Sequence, residues 1–246
     1  MNEEPLISLE NVTFAAQDKT IIRNLSYEIP AGIATAFVGP SGGGKGTVLK
    51  LAAGLIVPSE GIVRFRGQEI ATMNRAKTLA FRKQAAFVFQ DSALWANQSL
   101  RQILELPLKI HFPTMKAEER TQRIVAVLAE TGYRKDLDIR PAALSMGEQK
   151  LIAFARALVC QPTILFLDEW TESLDDNAAR RLVDIVQGKH QEGCTVAFVS
   201  HNIPVIRELA EKICIIEDGS VSRCVTAAEF ARDKTLAKTI EEGITQ

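Results

Sequence analysis

Residues 39–47 read Gly-Pro-Ser-Gly-Gly-Gly-Lys-Gly-Thr, a glycine-rich run that closes on a lysine and a threonine. The five residues before it, 34–38, read Ala-Thr-Ala-Phe-Val and predict a short buried strand. The residues after it predict a helix that buries apolar side chains at Val48, Leu49, Leu51, Ala52 and Leu55. The stretch therefore predicts a strand, a glycine-rich turn and a helix, in that order.

This order is typical of a phosphate-binding loop. Glycines let successive backbone N–H groups turn toward a polyphosphate, and the helix N-terminus adds partial positive charge. Lys45 can reach the β- and γ-phosphates. On this stretch alone, a glycine-rich turn without a ligand is the alternative. We predict that the phosphates bind at Gly39, Pro40, Ser41, Gly42, Gly43, Gly44, Lys45, Gly46 and Thr47.

Residue 46 departs from the standard loop. The usual pattern has Ser or Thr directly after the lysine, because that hydroxyl is a ligand of Mg²⁺. Here the position is Gly46, and the hydroxyl follows one residue later at Thr47. Losing one charge-assisted contact costs about 1.5–3 kcal/mol. We therefore expect weaker Mg²⁺ binding or slower turnover, unless water replaces the ligand.

Composition limits the class of protein. The chain has 246 residues, 46% hydrophobic and 24% charged, which suits one large domain or a core with one inserted subdomain. The net charge of −1 argues against nucleic acid as a partner. Residues 1–5 lack an apolar core, which predicts no signal peptide, and no apolar run approaches the roughly 18 residues of a membrane span. Membrane contact is thus expected only through partners.

The cysteines and histidines suggest no metal centre. The four cysteines lie far apart in the chain and form no Cys-x-x-Cys pair, so we expect ordinary packing in a reducing cytosol. His111 and His190 have no ligand-like companions and are expected at the surface.

Strands and helices are predicted to alternate along the chain. Further strands are expected over residues 6–14, 21–29, 62–65, 85–89, 164–168, 195–199, 213–216 and 221–224. Helices are expected over 116–132, capped by Thr114, and over 145–159, 177–190 and the polar tail 225–246. This pattern predicts an α/β fold, with a mostly parallel sheet, an antiparallel β layer and an inserted helical region.

Four polar residues follow buried strands of this predicted sheet, namely Gln90, Asp168, Glu169 and His201. Ligands bind at the carboxyl ends of parallel strands, so we expect all four beside the phosphate loop. Asp168 can hold Mg²⁺, and Glu169 can orient or deprotonate an attacking water. The alternative for the two carboxylates alone is a solvated strand end.

The order of these motifs resembles the ATP-binding subunits of ABC transporters, over nearly the whole chain. Residues 39–47 match the Walker A loop, and Gln90 matches the Q-loop glutamine. Residues 144–148, Leu-Ser-Met-Gly-Glu, look like the signature Leu-Ser-Gly-Gly-Gln. Residues 164–168 with Glu169 match Walker B and its catalytic glutamate. Residues 173–175 resemble the D-loop, and His201 resembles the switch histidine.

The resemblance implies a P-loop NTPase fold and a single ABC ATPase domain over residues 1–246. Residues 1–90 and 162–246 would form the nucleotide-binding core with its β subdomain, and residues 91–161 the helical subdomain. The chain would bind ATP and Mg²⁺ and act as an ATPase in a head-to-tail dimer, with a second ATPase subunit that we expect to be an identical copy.

The family also implies roles for particular residues. Each ATP would contact Walker A of one copy and Ser145, Gly147 and Glu148 of the other. Glu169, His201 and Gln90 would be catalytic, and Gln90 and Asp168 would hold the metal. Transmembrane permease subunits would dock near Leu94 and Trp95, which places the chain in the cytoplasm, peripheral on the inner face of the cell membrane. A core position is the equally open alternative for Trp95.

Several residues depart from the family pattern. Ala16 stands where an aromatic residue stacks on adenine, and we expect Phe14 to replace it. Met146 replaces a signature glycine, and Trp170 stands where proline is usual. These changes leave open an alternative, a degenerate subunit that binds nucleotide and regulates with little hydrolysis. Residues 89–95 and 106–108 are similar to ATPases of phospholipid-trafficking systems built around mammalian-cell-entry domain proteins.

Overall fold

A computed structural model describes residues 5–233 and residue 238. The strands are β1 (Ile7–Ala16), β2 (Lys19–Ile29), β3 (Ala34–Val38), β4 (Glu60–Phe65), β5 (Gln68–Glu69), β6 (Ala85–Val88), β7 (Ile164–Asp168), β8 (Thr195–Val199), β9 (Lys212–Glu217) and β10 (Ser220–Thr226). The α-helices are α1 (Lys45–Ala52), α2 (Arg75–Gln84), α3 (Leu100–His111), α4 (Ala117–Thr131), α5 (Met146–Leu158), α6 (Asp176–Gln191), α7 (Ile203–Leu209) and α8 (Ala227–Arg232).

A six-stranded sheet forms the centre of the molecule, in the order β10-β9-β3-β8-β7-β6. Its strands pair in parallel, apart from β10, which pairs antiparallel with β9. Every residue of β3, β7 and β8 is buried, as expected for parallel strands that are covered on both faces. Successive residues along these strands therefore contribute to two different cores.

The two cores lie on opposite faces of this sheet. Ala36 and Leu165 point into a core completed by helices α3 to α7. Their neighbours Phe37 and Phe166 point into a core completed by α1 and a second sheet. That sheet is antiparallel, in the order β2-β1-β4-β5. The α/β class with a parallel sheet, an antiparallel layer and inserted helices is confirmed.

The helical insertion lies between β6 and β7 and contains α3, α4 and α5. Helix α3 starts at a capping box, in which the Ser99 hydroxyl accepts from the Gln102 N–H and the Gln102 amide oxygen accepts from the Ser99 N–H. Helix α4 ends at Gly132, as predicted, which adopts a left-handed conformation with φ of 85°. Among residues 5–233, no helix has the length and apolar character required to cross a bilayer.

Four details of the predicted elements were wrong or incomplete. Helix α2 was not predicted at all. Helix α4 is capped at Lys116 rather than Thr114, and the Glu119 carboxylate accepts from the Lys116 N–H. Leu55 lies beyond the end of α1 and is exposed. The predicted helical tail is confirmed only as α8, and residues 234–237 and 239–246 lie outside the described part.

The prediction of ordinary cysteine packing also needs correction. Cys214 and Cys224 oppose each other across the β9–β10 hairpin and form a disulfide. Antiparallel pairing brings them together although ten residues separate them in sequence. Cys160 and Cys194 are free thiols, and burial raises the pKa of each to about 11.

Candidate functional site

A cavity of about 710 Å³ opens at the carboxyl ends of β3, β7 and β8. Its volume falls in the range of small-molecule sites. The structure brings most of the predicted site residues to its wall. Those that line the cavity are Ser41, Gly42, Gly44, Lys45, Gly46, Thr47, Gln90, Asp168, Glu169 and His201.

The glycine-rich loop closes around the lysine side chain. The Lys45 ammonium is buried and donates to the carbonyls of Gly39 and Pro40, each at 2.9 Å. Gly39 has φ of 136°, and a Cβ there would collide with the Ile216 carbonyl of β9, so only glycine fits. Burial lowers the pKa of Lys45, against the opposing effect of Glu169 and Asp168. The loop thus holds a desolvated cation where an anion would compensate it.

Asp168 lies directly against the first turn of α1. A Cβ added to Gly46 would lie 3.0 Å and 3.3 Å from its two carboxylate oxygens. Burial raises the pKa of Asp168, and the Lys50 ammonium opposes this shift. The absence of a side chain at residue 46 therefore lets the carboxylate approach the helix N-terminus closely.

The donors around Asp168 fit a magnesium ion. Thr47 and Gln90 line the same cavity and add a hydroxyl and an amide oxygen to the carboxylate. Mg²⁺ in nucleotide sites needs only one or two protein carboxylates, because phosphates and waters complete its shell. The described residues contain no cluster of three or more His, Cys, Asp or Glu side chains able to hold a metal alone. A metal here would share its ligands with the nucleotide.

Glu169 and His201 form a pair at the floor of the cavity. Nε2 of His201 lies 3.0 Å from Oε1 of Glu169, and the carboxylate is buried. The Glu169 backbone has φ of 43°, a left-handed conformation that is uncommon outside glycine. Its N–H donates to the Val199 carbonyl at 3.1 Å. The end of β8 thus holds the carboxylate-bearing residue in a strained conformation, as is frequent at active sites.

Gln90 lines the same cavity and follows β6, the strand next to β7. Its amide nitrogen donates to Oε2 of Glu172 at 3.1 Å. Because Glu172 follows Glu169 by three residues, this bond links the Q-loop to the segment after Walker B.

The signature residues lie elsewhere. Ser145 caps α5, and its hydroxyl accepts from the Glu148 N–H at 3.3 Å. The Glu148 carboxylate in turn accepts a hydrogen bond from the Ser145 N–H at 3.0 Å. It also forms an ion pair with the Lys135 ammonium at 2.5 Å, which holds the pKa of Glu148 below its usual range. Gly147 abuts the D-loop, since a Cβ there would lie 3.0 Å from the Ser173 carbonyl. These residues do not line the cavity of their own chain.

Phe14 does not reach the cavity, contrary to what an adenine-stacking role requires. It is half-buried and packs against the core between the two sheets. Sequence reasoning also missed much of the cavity wall. The missed lining residues are Lys19, Thr20, Ile21, Arg23, Lys50, Val199, Asp218 and Gly219.

The missed residues come from four elements. Lys19, Thr20, Ile21 and Arg23 lie at the start of β2, Lys50 lies in α1, Val199 ends β8, and Asp218 and Gly219 form the β9–β10 turn. The Arg23 N–H donates to the Gly219 carbonyl at 2.9 Å, and the Gly219 N–H donates to the Gly43 carbonyl at 3.2 Å. These bonds join residues that are 196 and 176 positions apart in sequence, and no local motif predicts them. The cationic residues near the β1–β2 turn were the one available signal.

Comparison with known proteins identifies the family. Residues 22–172 match the sequence profile of a protein family described as ABC transporter. YejF of Escherichia coli (strain K12), an uncharacterized ABC transporter ATP-binding protein, is 36% identical over 82% of this chain, which spans 39% of that relative. The nickel import ATP-binding protein NikE of Shigella flexneri serotype 5b (strain 8401) is 31% identical over 84% of this chain and 78% of its own length.

Solved structures agree. An ATP-binding cassette, solved as a dimer in a post-hydrolysis state with ADP and phosphate, superposes with a TM-score of 0.83 at 29% identity. The match covers 90% of this chain and 98% of that cassette. Nothing among these relatives supports the alternative of a degenerate regulatory subunit. The chain belongs to the ABC transporter family, as one of its ATP-binding subunits.

Proposed function

We propose that this chain, an ATP-hydrolysing subunit that works as a dimer on membrane-spanning partners, performs its reaction in the cavity lined by Lys45, Asp168 and Glu169. The observation that carries this is their convergence with His201 at one edge of the sheet. The backbone N–H groups of residues 39–47 receive the phosphates. Lys45 exchanges the carbonyls of Gly39 and Pro40 for phosphate oxygens.

Glu169 acts as the general base. It takes a proton from the water whose oxygen forms a bond to the γ-phosphorus, while the bond from that phosphorus to the bridging oxygen breaks, giving ADP and phosphate. His201, 3.0 Å from Oε1 of Glu169, orients the carboxylate and hydrogen-bonds the γ-phosphate. Gln90, which lines the same cavity, aligns the water.

Asp168, Gln90 and Thr47 would hold Mg²⁺ with the nucleotide. The ion supplies neutralisation of charge on the β- and γ-phosphate oxygens. Because Gly46 provides no side-chain ligand, Asp168 would supply most of the protein's contribution to Mg²⁺ binding.

The second phosphate contact comes from another copy of the chain. Ser145, the Gly147 N–H and Glu148 lie at the N-terminus of α5, where partial positive charge favours an anion. They lie outside their own cavity, and Met146 between them is 72% exposed. A head-to-tail dimer places this surface over the cavity of the other copy.

The permease docks on the helical subdomain, residues 91–161. Trp95 is 46% exposed, which favours docking over the core position that its sequence left open. A groove of about 550 Å³ is lined by Trp95, Leu106 and Lys109, among others. Exposed apolar side chains around a groove are typical of interaction sites. Such docking holds the chain in the cytoplasm at the inner face of the membrane.

The cargo follows from the permease rather than from this chain. The similarity to phospholipid-trafficking ATPases stays a prediction, and the name of NikE states nickel import for that relative. Sequencing of the membrane protein that co-purifies with the chain decides between a lipid and an ion system.

ATP turnover by the assembled transporter tests the catalytic assignment. The Glu169→Gln variant should lose at least a hundredfold in turnover and keep its affinity for labelled ATP, because an amide fills the same space but accepts no proton. The matched control is Glu192→Gln, which neutralises a surface carboxylate that pairs with Lys189 at the end of α6. Wild-type turnover in Glu169→Gln would refute the assignment.

A further inference from the structure

Lys150 is a buried lysine for which the reaction above has no use. It lies in the second turn of α5, five residues after Ser145, and is 2% exposed. Lysine is almost never fully buried unless it is paired. Burial lowers the pKa of its ammonium, and the carboxylates of Glu172, Asp168, Asp91 and Glu169 oppose the shift.

The partners of this ammonium are three backbone carbonyls. Nζ donates to Gln90 at 2.5 Å, to Phe89 at 3.4 Å and to Glu169 at 3.4 Å. An ammonium has three donors, so the three carbonyls match its hydrogen-bonding capacity. One cation therefore joins the backbone of the Q-loop to the backbone of the residue after Walker B.

The same face of α5 makes a second contact with that segment. Phe154, one turn after Lys150, stacks on Trp170 with ring centroids 5.7 Å apart and planes at 25°. Trp170 follows Glu169 directly and is fully buried. Helix α5 therefore contacts this segment twice, through the Glu169 carbonyl at Lys150 and through the Trp170 ring at Phe154.

We infer that Lys150 is a positioning residue that sets Gln90 and Glu169 relative to each other and links both to the signature helix. Gln90 and Glu169 follow the neighbouring strands β6 and β7, both line the cavity, and their main chains share one ammonium. The Glu169 backbone is left-handed, so an external bond at its carbonyl helps to hold it there. Since Ser145 caps the same helix, a shift of α5 on dimer closure would move the ammonium. This inference rests on the proposed role of Glu169.

The test is a double-mutant cycle of Lys150→Met and Glu169→Gln, with turnover measured on the assembled transporter. A displacement of about 1 Å at a catalytic group can cost a hundredfold in rate. Lys150→Met alone should lower kcat at least tenfold and leave the KM for ATP, nucleotide affinity and melting temperature close to wild type. In the Glu169→Gln background the same change should alter the residual rate less than twofold, because it acts through a base that is already absent.

Lys189→Met is the matched control, since this lysine of α6 pairs only with Glu192 among the ion pairs of the described chain. It should leave kcat unchanged. Should Lys150→Met fail to fold, Lys150→Gln replaces it, because its amide can still donate for folding but cannot bridge all three carbonyls, and kcat should still fall several-fold.

Two results would overturn the inference alone, namely an unchanged kcat in the folded Lys150 variant or an equal fold-loss in both backgrounds. Full turnover in Glu169→Gln by itself would instead contradict the proposed function, and the inference would fall with it. The two failures are thus distinguishable.

Discussion

Nε2 of His201 lies 3.0 Å from Oε1 of Glu169, so the histidine contacts the proposed base directly. The contact spans two neighbouring strand ends, because Glu169 follows β7 and His201 follows β8. The contact holds the imidazole beside a buried carboxylate that lines the cavity. In the proposed reaction, His201 would orient this carboxylate and donate to the γ-phosphate.

Replacement of His201 by alanine should lower kcat about a hundredfold, within the range for a lost acid–base partner. The KM for ATP should change less than fivefold, since the loop of residues 39–47 supplies most phosphate contacts. Steady-state phosphate release from the assembled transporter measures both. A rise in KM with unchanged kcat would show that the histidine only binds nucleotide.

Gly46→Ser should tighten Mg²⁺ binding about tenfold in the presence of ATP, the lower end of what one charge-assisted contact contributes. The new Cβ would lie 3.0 Å from Oδ2 of Asp168. The Asp168 carboxylate must therefore move away by a few tenths of an ångström. Turnover titrated with Mg²⁺ gives the apparent affinity. Gly46→Ala is the control, because it adds the Cβ without the hydroxyl, and an equal gain in both variants would exclude a ligand effect.

Asp168→Asn should raise the melting temperature of the nucleotide-free chain at neutral pH. The folded-state pKa of Asp168 is raised by burial, so between the ordinary value of about 4 and the raised value the folded chain binds more protons than the unfolded chain. The free energy of unfolding therefore falls as pH rises through that window. Above the window, the ionised Asp168 carboxylate continues to destabilise the folded chain. Asparagine removes that effect.

Thermal melts at pH 7 without nucleotide measure this difference. With Mg-ATP the order of the two proteins should reverse, because only aspartate holds the metal. A lower melting point of the variant in both conditions would mean that Asp168 stabilises the empty site.

Trp95→Ser should reduce affinity for the permease at least tenfold, as expected for an exposed aromatic anchor. Permease-dependent stimulation of ATP turnover reports the loss, and basal turnover should persist. Val125→Ser removes another exposed apolar side chain, on α4 and away from the groove, and serves as control. Equal effects of both variants would remove the groove from the docking site.

The buried parallel strands were predictable because β3, β7 and β8 are covered on both faces and read as continuous apolar runs. Helix α2 was not, since Phe81 is its single buried residue and its other large apolar side chain, Leu79, is exposed. The start of α4 was predicted within one residue, but its cap was misassigned to Thr114, because the observed cap is the Lys116 N–H bonded to the Glu119 carboxylate.

The residues of the candidate site likewise divide into those that the sequence predicts and those that it does not. Gln90, Asp168, Glu169 and His201 could be placed because each follows a predicted strand of one sheet. The wall supplied by Lys19 and Arg23 depends on how two distant turns meet, which no local pattern encodes. The role of Lys150 depends on contacts across 60 and 19 residues of sequence, and became visible only in three dimensions.

Sedimentation of the Glu169→Gln chain with Mg-ATP tests most directly whether nucleotide is held between two copies. Blocked hydrolysis should let a dimer accumulate, and Met146→Glu, which puts a negative charge on the exposed signature surface, should keep the chain monomeric without weakening its monomeric ATP affinity. Met146→Gly should still dimerise. A chain that stays monomeric at saturating ATP, or that dimerises equally well with Met146→Glu, would contradict the account.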